Sequence, residues 1–247
     1  MANKTSHTPH AVTGILSLLV LLSTLFVLPP IPAFGSSESK VVTFYATHTT
    51  SGYVYQFMAG LAVLAALWFL GYAYTRFRRE VPDSPLPIIM LAAGAGWAAF
   101  VVVFLGLFQV FSVWAAEPAA HGILKAFSDG YVLAFAFNNL PAAAMLGAGT
   151  YCLRPSAGWP GWLKGLGIVA VAGQVVGSVP LIFPDGVLKP GGPITYGPFF
   201  LTLLWIFMAG ISATRWERSG AGARARAAAR PAQPDRPARS AALAQEH

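Results

Sequence analysis

The sequence predicts an all-α protein, a polytopic transmembrane helix bundle of six spans, or of five if the first is a cleaved signal peptide. Three observations predict it. Hydrophobic residues make up 55% of the 247 positions and charged residues only 10%, against roughly 25% charged in a soluble domain. The charges also avoid six segments, 11–34, 53–75, 87–114, 130–153, 165–183 and 194–214, which contain no histidine either. Each is close to the ~20 residues that a helix rising 1.5 Å per residue needs to cross about 30 Å of hydrocarbon. Finally, Lys and Arg alternate between the loops. With the N-terminus inside, Lys4, Arg76, Arg78, Arg79, Arg154, Lys164 and the seven arginines from Arg215 to Arg239 face the cytoplasm, and Lys40, Lys125 and Lys189 face outside. Thirteen against three obeys the positive-inside rule at every loop and places both termini in the cytoplasm of a cell-membrane protein.

The chain therefore divides into a cytoplasmic N-terminus (1–10), a bundle (11–214) and a basic tail (215–247). The first span, apolar from Val12 to Leu28, is closed by Pro29, Pro30 and Pro32, which cannot continue a helix. Lys4, that apolar run and the small residues around Ala33 and Gly35 also describe a signal peptide; spanning length favours a retained helix. The β-branched residues between Val41 and Thr50 predict an extended segment over the outer face. Interfacial aromatics fit the remaining boundaries, since Trp and Tyr settle at headgroup depth. Tyr53, Tyr55, Trp114, Tyr131 and Tyr196 fall at outer ends, and Tyr72, Tyr74, Tyr151, Trp159, Trp162 and Trp216 at inner ends. Trp97 and Trp205 fall near mid-depth and are expected to pack between helices. The tail, rich in Ala, Arg and Pro, lacks the large apolar residues needed to fold. Its arginines are the expected contact with anionic lipid.

Helices in lipid associate through close contact of small residues. Gly173/Gly177, Ala92/Gly96 and Ala143/Gly147 have the four-residue spacing that allows it, within the bundle or in a homo-oligomer. The polar residues of the spans are uncharged. Asn138 and Asn139 stand out because Pro141 has no N–H for the carbonyl of Phe137, which predicts a kink beside two carboxamides. Interhelical hydrogen bonding is the plain role for them. The functional one is a polar ligand site formed by Asn138, Asn139, Gln109 and Gln174.

The outer segment 117–129 is the one place where an acid, an imidazole and a second acid come together. Glu117, His121 and Asp129 form a candidate Zn²⁺ set, opposed by Lys125 on the same helical stripe as Glu117 and His121. An amphipathic turn on the outer leaflet is the plain alternative. His48 is an isolated loop histidine, and Pro190-Gly-Gly-Pro193 is expected simply to reverse the chain.

Several chemistries are excluded. Cys152 is the lone cysteine, so there is no intrachain disulfide and no Cys-cluster metal site. Phosphate-loop, dinucleotide, zincin and nucleophile-elbow motifs are absent from the sequence, and no span holds a histidine for haem. No cofactor is expected. Nor is nucleic acid, because the basicity belongs mainly to the tail.

The segments RPSAGWPGWLKGLG (154–167) and LLWIFMAGISATR (203–215) resemble uncharacterised small multi-pass bacterial membrane proteins of about six spans. In these a Trp-rich inner loop precedes a Gly-rich helix, and the last helix carries a Leu-Trp pair. The resemblance covers the final third of the chain; it implies the topology and carries no activity or site residue. The leading expectation is a non-enzymatic membrane protein with a structural, regulatory or partner-binding role. Its alternatives are a transporter or small-molecule-binding bundle built on Asn138 and Asn139, and a membrane enzyme with an outward metal site at Glu117, His121 and Asp129.

Overall fold

The computed structural model describes residues 8–154, 159–183 and 189–218. Among them there is no strand. Eight α-helices follow one another: α1 (Thr8–Thr24), α2 (Glu38–Thr47), α3 (Thr49–Glu80), α4 (Leu86–Ala115), α5 (His121–Phe137), α6 (Asn139–Cys152), α7 (Gly161–Gly177) and α8 (Pro193–Arg218). Residues up to Thr214 belong to one compact unit. The second unit begins at Arg215, within the last turn of α8, and the expected tail from 219 onward lies outside the described residues, as do residues 1–7.

Five stretches are long and apolar enough to cross a membrane: α3, α4, the Pro118–Cys152 stretch that contains α5 and α6, Gly161–Leu181, and Pro193–Glu217. The sixth expected span is shorter than its apolar run. α1 has 17 residues, about 25 Å at 1.5 Å per residue, and ends before the prolines. Ser23 and Thr24 turn their hydroxyls back onto the carbonyls of Val20 and Leu21. The N–H groups of Leu25, Phe26 and Val27 then bond three residues back, a tightening that closes the helix.

α1 is nevertheless part of the packed core. Ala11, Ser17, Leu18, Leu21 and Thr24 are buried. A Cβ on Gly14 would stand 2.8 Å from the Phe69 ring of α3 and 3.0 Å from the Ile206 carbonyl oxygen, and one on Gly210 would stand 3.0 Å from the Ala11 carbonyl oxygen. Two backbones thus meet at Ala11, Gly14 and Gly210, as small residues allow in lipid. Of the spacings expected to pack, Gly173 meets Leu201, and Gly177 meets Asn139 and Pro198. Among the described residues Ala92 and Gly96 are exposed and a Cβ on Gly96 meets nothing within 4 Å; Gly94 makes the α4 contact instead, against Leu70 and Met145. Trp97 and Trp205 are buried between helices.

The segment expected to be extended is helical. Ser37 caps α2, its hydroxyl accepting from the Lys40 N–H, and Glu38 adds a negative charge to the first turn. Val41, Phe44 and Tyr45, at helical spacing, bury one face with Phe108 and Phe111 of α4. That tertiary burial overrides the β-branched propensity. His48 joins α2 to α3, its Nδ1 2.9 Å from the Phe44 carbonyl oxygen and its ring stacked on Phe44.

At the other end α3 runs on through Arg76, Arg78 and Arg79, which put positive charge on its C-terminal turns. Arg76 is buried, bonded to Glu80 at 3.0 Å and lying 4.1 Å above the Trp159 ring. Replacing Gly14 by Leu should overpack the contact of α1 with α3 and α8 and lower the melting temperature in detergent, at a cost of about 1–3 kcal/mol. Gly96→Leu, filling open space, should leave it unchanged; equal melting of the two variants would show that α1 is not docked there.

Candidate functional site

A cavity of about 420 Å³ opens inside the end of the bundle that carries α2. Its walls are the last turn of α1 and the strap after it (Leu21 to Ile31), the first turns of α3, the middle of α4, Tyr131 and Phe135 of α5, and the start of α8. Among the described lining residues none is charged. The hydrogen-bonding side chains are Thr24 and the phenols of Tyr55, Tyr131 and Tyr196, set among Phe104, Phe135, Phe199 and Phe200. The Tyr196 hydroxyl is buried and has no hydrogen-bond partner among the described residues.

Sequence reasoning missed this site. It assigned Tyr55, Tyr131 and Tyr196 to the headgroup belt because of their depth, but depth does not say which way a helix turns a side chain. All three turn inward; Tyr53, 40% exposed, keeps an outward position. The Pro190–Pro193 loop does more than reverse the chain. Gly191 has φ 87°, a left-handed conformation natural to glycine. A Cβ there would stand 3.0 Å from Val132 and 3.2 Å from the Phe34 nitrogen. Its N–H donates to Thr195 Oγ1 at 3.1 Å, which fixes the loop on the first turn of α8.

Of the candidate metal residues, Asp129 serves this cavity's frame instead. Asp129 pairs with Lys125 and accepts the Gly35 N–H at 3.0 Å, fastening the strap to α5. His121 Nε2 faces the Ala115 carbonyl oxygen at 3.2 Å, and Glu117 is exposed ahead of a short 3₁₀ turn, Pro118–Ala120. Among the described residues Glu117, His121 and Asp129 are not brought together as a metal-holding group. Beneath the strap, burial pushes the Tyr45 hydroxyl above the ordinary tyrosine range; a hydrogen bond with Ser128 opposes the shift and the Tyr196 phenol adds to it.

The polar residues expected to form a ligand site are only partly assembled. Gln109 is exposed on the outside of α4. Asn138, Asn139 and Gln174 are buried. The helix breaks at Asn138, between α5 and α6, three residues before Pro141. Gln174 Nε2 donates to the Pro198 carbonyl oxygen and, at 2.6 Å, to Thr202 Oγ1, tying α7 to the proline-bearing part of α8. A Cβ on Gly177 would stand 2.6 Å from Asn139 Nδ2 and 2.7 Å from Pro198 Cγ, so α6, α7 and α8 meet at one point. Asn138 Oδ1, Asn139 Nδ2 and Gln174 Oε1 have no hydrogen-bond partner among the described residues.

No family model, no curated protein and no solved structure matches the chain. The site thus stands on its geometry alone. At the α6/α7/α8 junction that geometry separates two roles. Gln174→Leu should lower the melting temperature, since it removes interhelical bonds that average about 0.6 and reach about 1.7 kcal/mol. Asn139→Leu, which removes an unpartnered buried amide, should leave stability unchanged or raise it. A larger loss at Asn139 than at Gln174 would contradict this assignment.

Proposed function

We propose that the chain is a non-catalytic, multi-pass protein of the bacterial cell membrane that binds a neutral, mostly apolar molecule in the cavity between α1, α3, α4, α5 and α8. The observation that carries this reading is the lining: apolar and aromatic walls, three phenols and one threonine hydroxyl, with no charge among them. About 420 Å³ lies within the range of small-molecule sites, roughly 300–1,000 Å³. Phenols donate hydrogen bonds and stay neutral at pH 7, so they suit a carbonyl, ether or hydroxyl oxygen on an otherwise apolar ligand. The groups that commonly act as general bases, a carboxylate or an imidazole, are missing from the described lining, which favours binding over catalysis.

Leu25, Pro29, Pro30 and Pro193 line the cavity and are exposed at the surface. A ligand would therefore enter beside the strap. The purified protein should quench or shift a neutral solvatochromic lipid probe. Ala59→Trp, which places an indole inside the cavity, should abolish the response while the helical circular dichroism is retained. Tyr131→Phe together with Tyr196→Phe should weaken binding of a carbonyl-bearing probe more than that of a pure hydrocarbon analogue. Full probe response in Ala59→Trp would remove the cavity from consideration.

The loop charges support an orientation with both termini in the cytoplasm and the cavity toward the outside. Reporter fusions after Arg79 and Arg154 should report cytoplasm, and those after Lys40, Lys125 and Lys189 the exterior. An exterior signal after Arg154 would invert the scheme.

A further inference from the structure

The arginine end of α3 carries a second recess, independent of the cavity. Leu64, Trp68, Gly71, Thr75 and Arg79 follow one another at spacings of four, three, four and four residues, one stripe of a helix. From Leu64 to Arg79, 15 helical rises, the stripe is about 22 Å long. It forms the floor of a groove of about 500 Å³ that is closed on one side by His10 of α1. The His10 ring stacks on Trp68, with centroids 5.9 Å apart and planes within 6°.

Three features of this groove define its occupant. Its floor is open at Gly71, where a Cβ would meet nothing within 4 Å. Its polarity runs in one direction: Leu64 and Trp68 are 52% and 56% exposed, Thr75 and Arg79 are exposed one and two turns beyond Gly71. Its cation is available, because Arg79 has no carboxylate partner among the described residues, whereas Arg76 is bound to Glu80 and Trp159. A free phosphate would use the Arg79 end alone. An amphiphile with an anionic head and a long chain uses both ends, and basic recesses between helices at the membrane surface are suited to such heads.

We propose that this groove holds one anionic phospholipid. Its phosphate sits at Arg79, and an acyl chain runs past Thr75 and Gly71 onto Trp68, where the His10 ring is stacked, and Leu64. The site is distinct from the tail arginines and requires only the arginine end of α3, whichever way the bundle is oriented.

The test uses the full chain in detergent, titrated with phosphatidylglycerol, with phosphatidylcholine of the same chains, and with inorganic phosphate, reading melting temperature and bound lipid by native mass spectrometry. Phosphatidylglycerol should bind with one-to-one stoichiometry and raise the melting temperature; the other two should not. Arg79→Gln should weaken it about fivefold, the worth of one basic residue at an anionic surface, and Arg78→Gln, also exposed but off the stripe, should not. A Cβ on Gly71 meets no described atom within 4 Å, so Gly71→Trp grows into the open groove; it should remove the lipid effect and leave the lipid-free melting temperature unchanged. The proposal is overturned if phosphatidylcholine works equally well, or if phosphate alone reproduces the shift. Equal losses in Arg78→Gln and Arg79→Gln, full lipid binding in Gly71→Trp, or a change of oligomeric state in Gly71→Trp that marks a second copy as the occupant, would each overturn it as well.

Discussion

In hydrocarbon no water is present to satisfy a free peptide group, so every N–H and C=O must find its partner within the protein. That constraint governs where this chain can interrupt its helices. The breaks within the apolar stretches come together: α5 gives way to α6 at Asn138, α7 ends at Gly177, and α8 carries Pro198 in its interior. All three positions are buried. Gln174 supplies an extra donor to the α8 backbone at Pro198, and Gly177 lets Asn139 and Pro198 approach. Isolated in lipid, each interruption would expose backbone polar groups; gathered at one junction, they are screened by one another's helices.

The same economy of space runs through the rest of the bundle. With little hydrophobic force between helices in lipid, closeness has to come from missing side chains. Gly14 and Gly210 let α1 and α8 touch backbone to backbone, and Gly167 of α7 leaves room for Thr150 of α6 and the Trp205 indole nitrogen of α8. At Gly71 and Gly96, by contrast, a Cβ would meet no described atom within 4 Å, and no neighbouring helix closes on them among the described residues. Identical residues at similar spacing thus do opposite things, according to what the neighbouring helix presents.

This difference sets the limit of what the sequence reveals. Charge-free segments made the bundle legible, and Pro141 marked the α5/α6 break, because both act locally. The misread parts depend on tertiary partners. Residues 41–47 became a helix once Val41, Phe44 and Tyr45 had Phe108 and Phe111 to cover. The Glu117, His121 and Asp129 set, offered by the sequence only beside an amphipathic turn and against Lys125, is not assembled among the described residues, where Asp129 pairs with Lys125 and accepts the Gly35 N–H. The cavity left no mark in the sequence at all: its lining comes from five helices and two loops, and the aromatic residues in it carry the same depth signal as a headgroup belt.

The polar junction and the apolar cavity are linked through α8. Tyr196, Phe199 and Phe200, which face the cavity, flank Pro198, and Thr202 follows one turn later. The proline removes one hydrogen bond of the helix at this point, so the direction of the first turn of α8 is less constrained by its own backbone than that of an uninterrupted helix. Gln174 restores the constraint from α7, and Gly191 holds the preceding loop against Val132 and Phe34. The cavity wall formed by α8 is therefore fixed at one end by Gln174, which lies outside the cavity, and at the other by Gly191, which is part of its lining. Its shape is set by the polar bonds of α7 and the conformation of one glycine as much as by the aromatic side chains that line it.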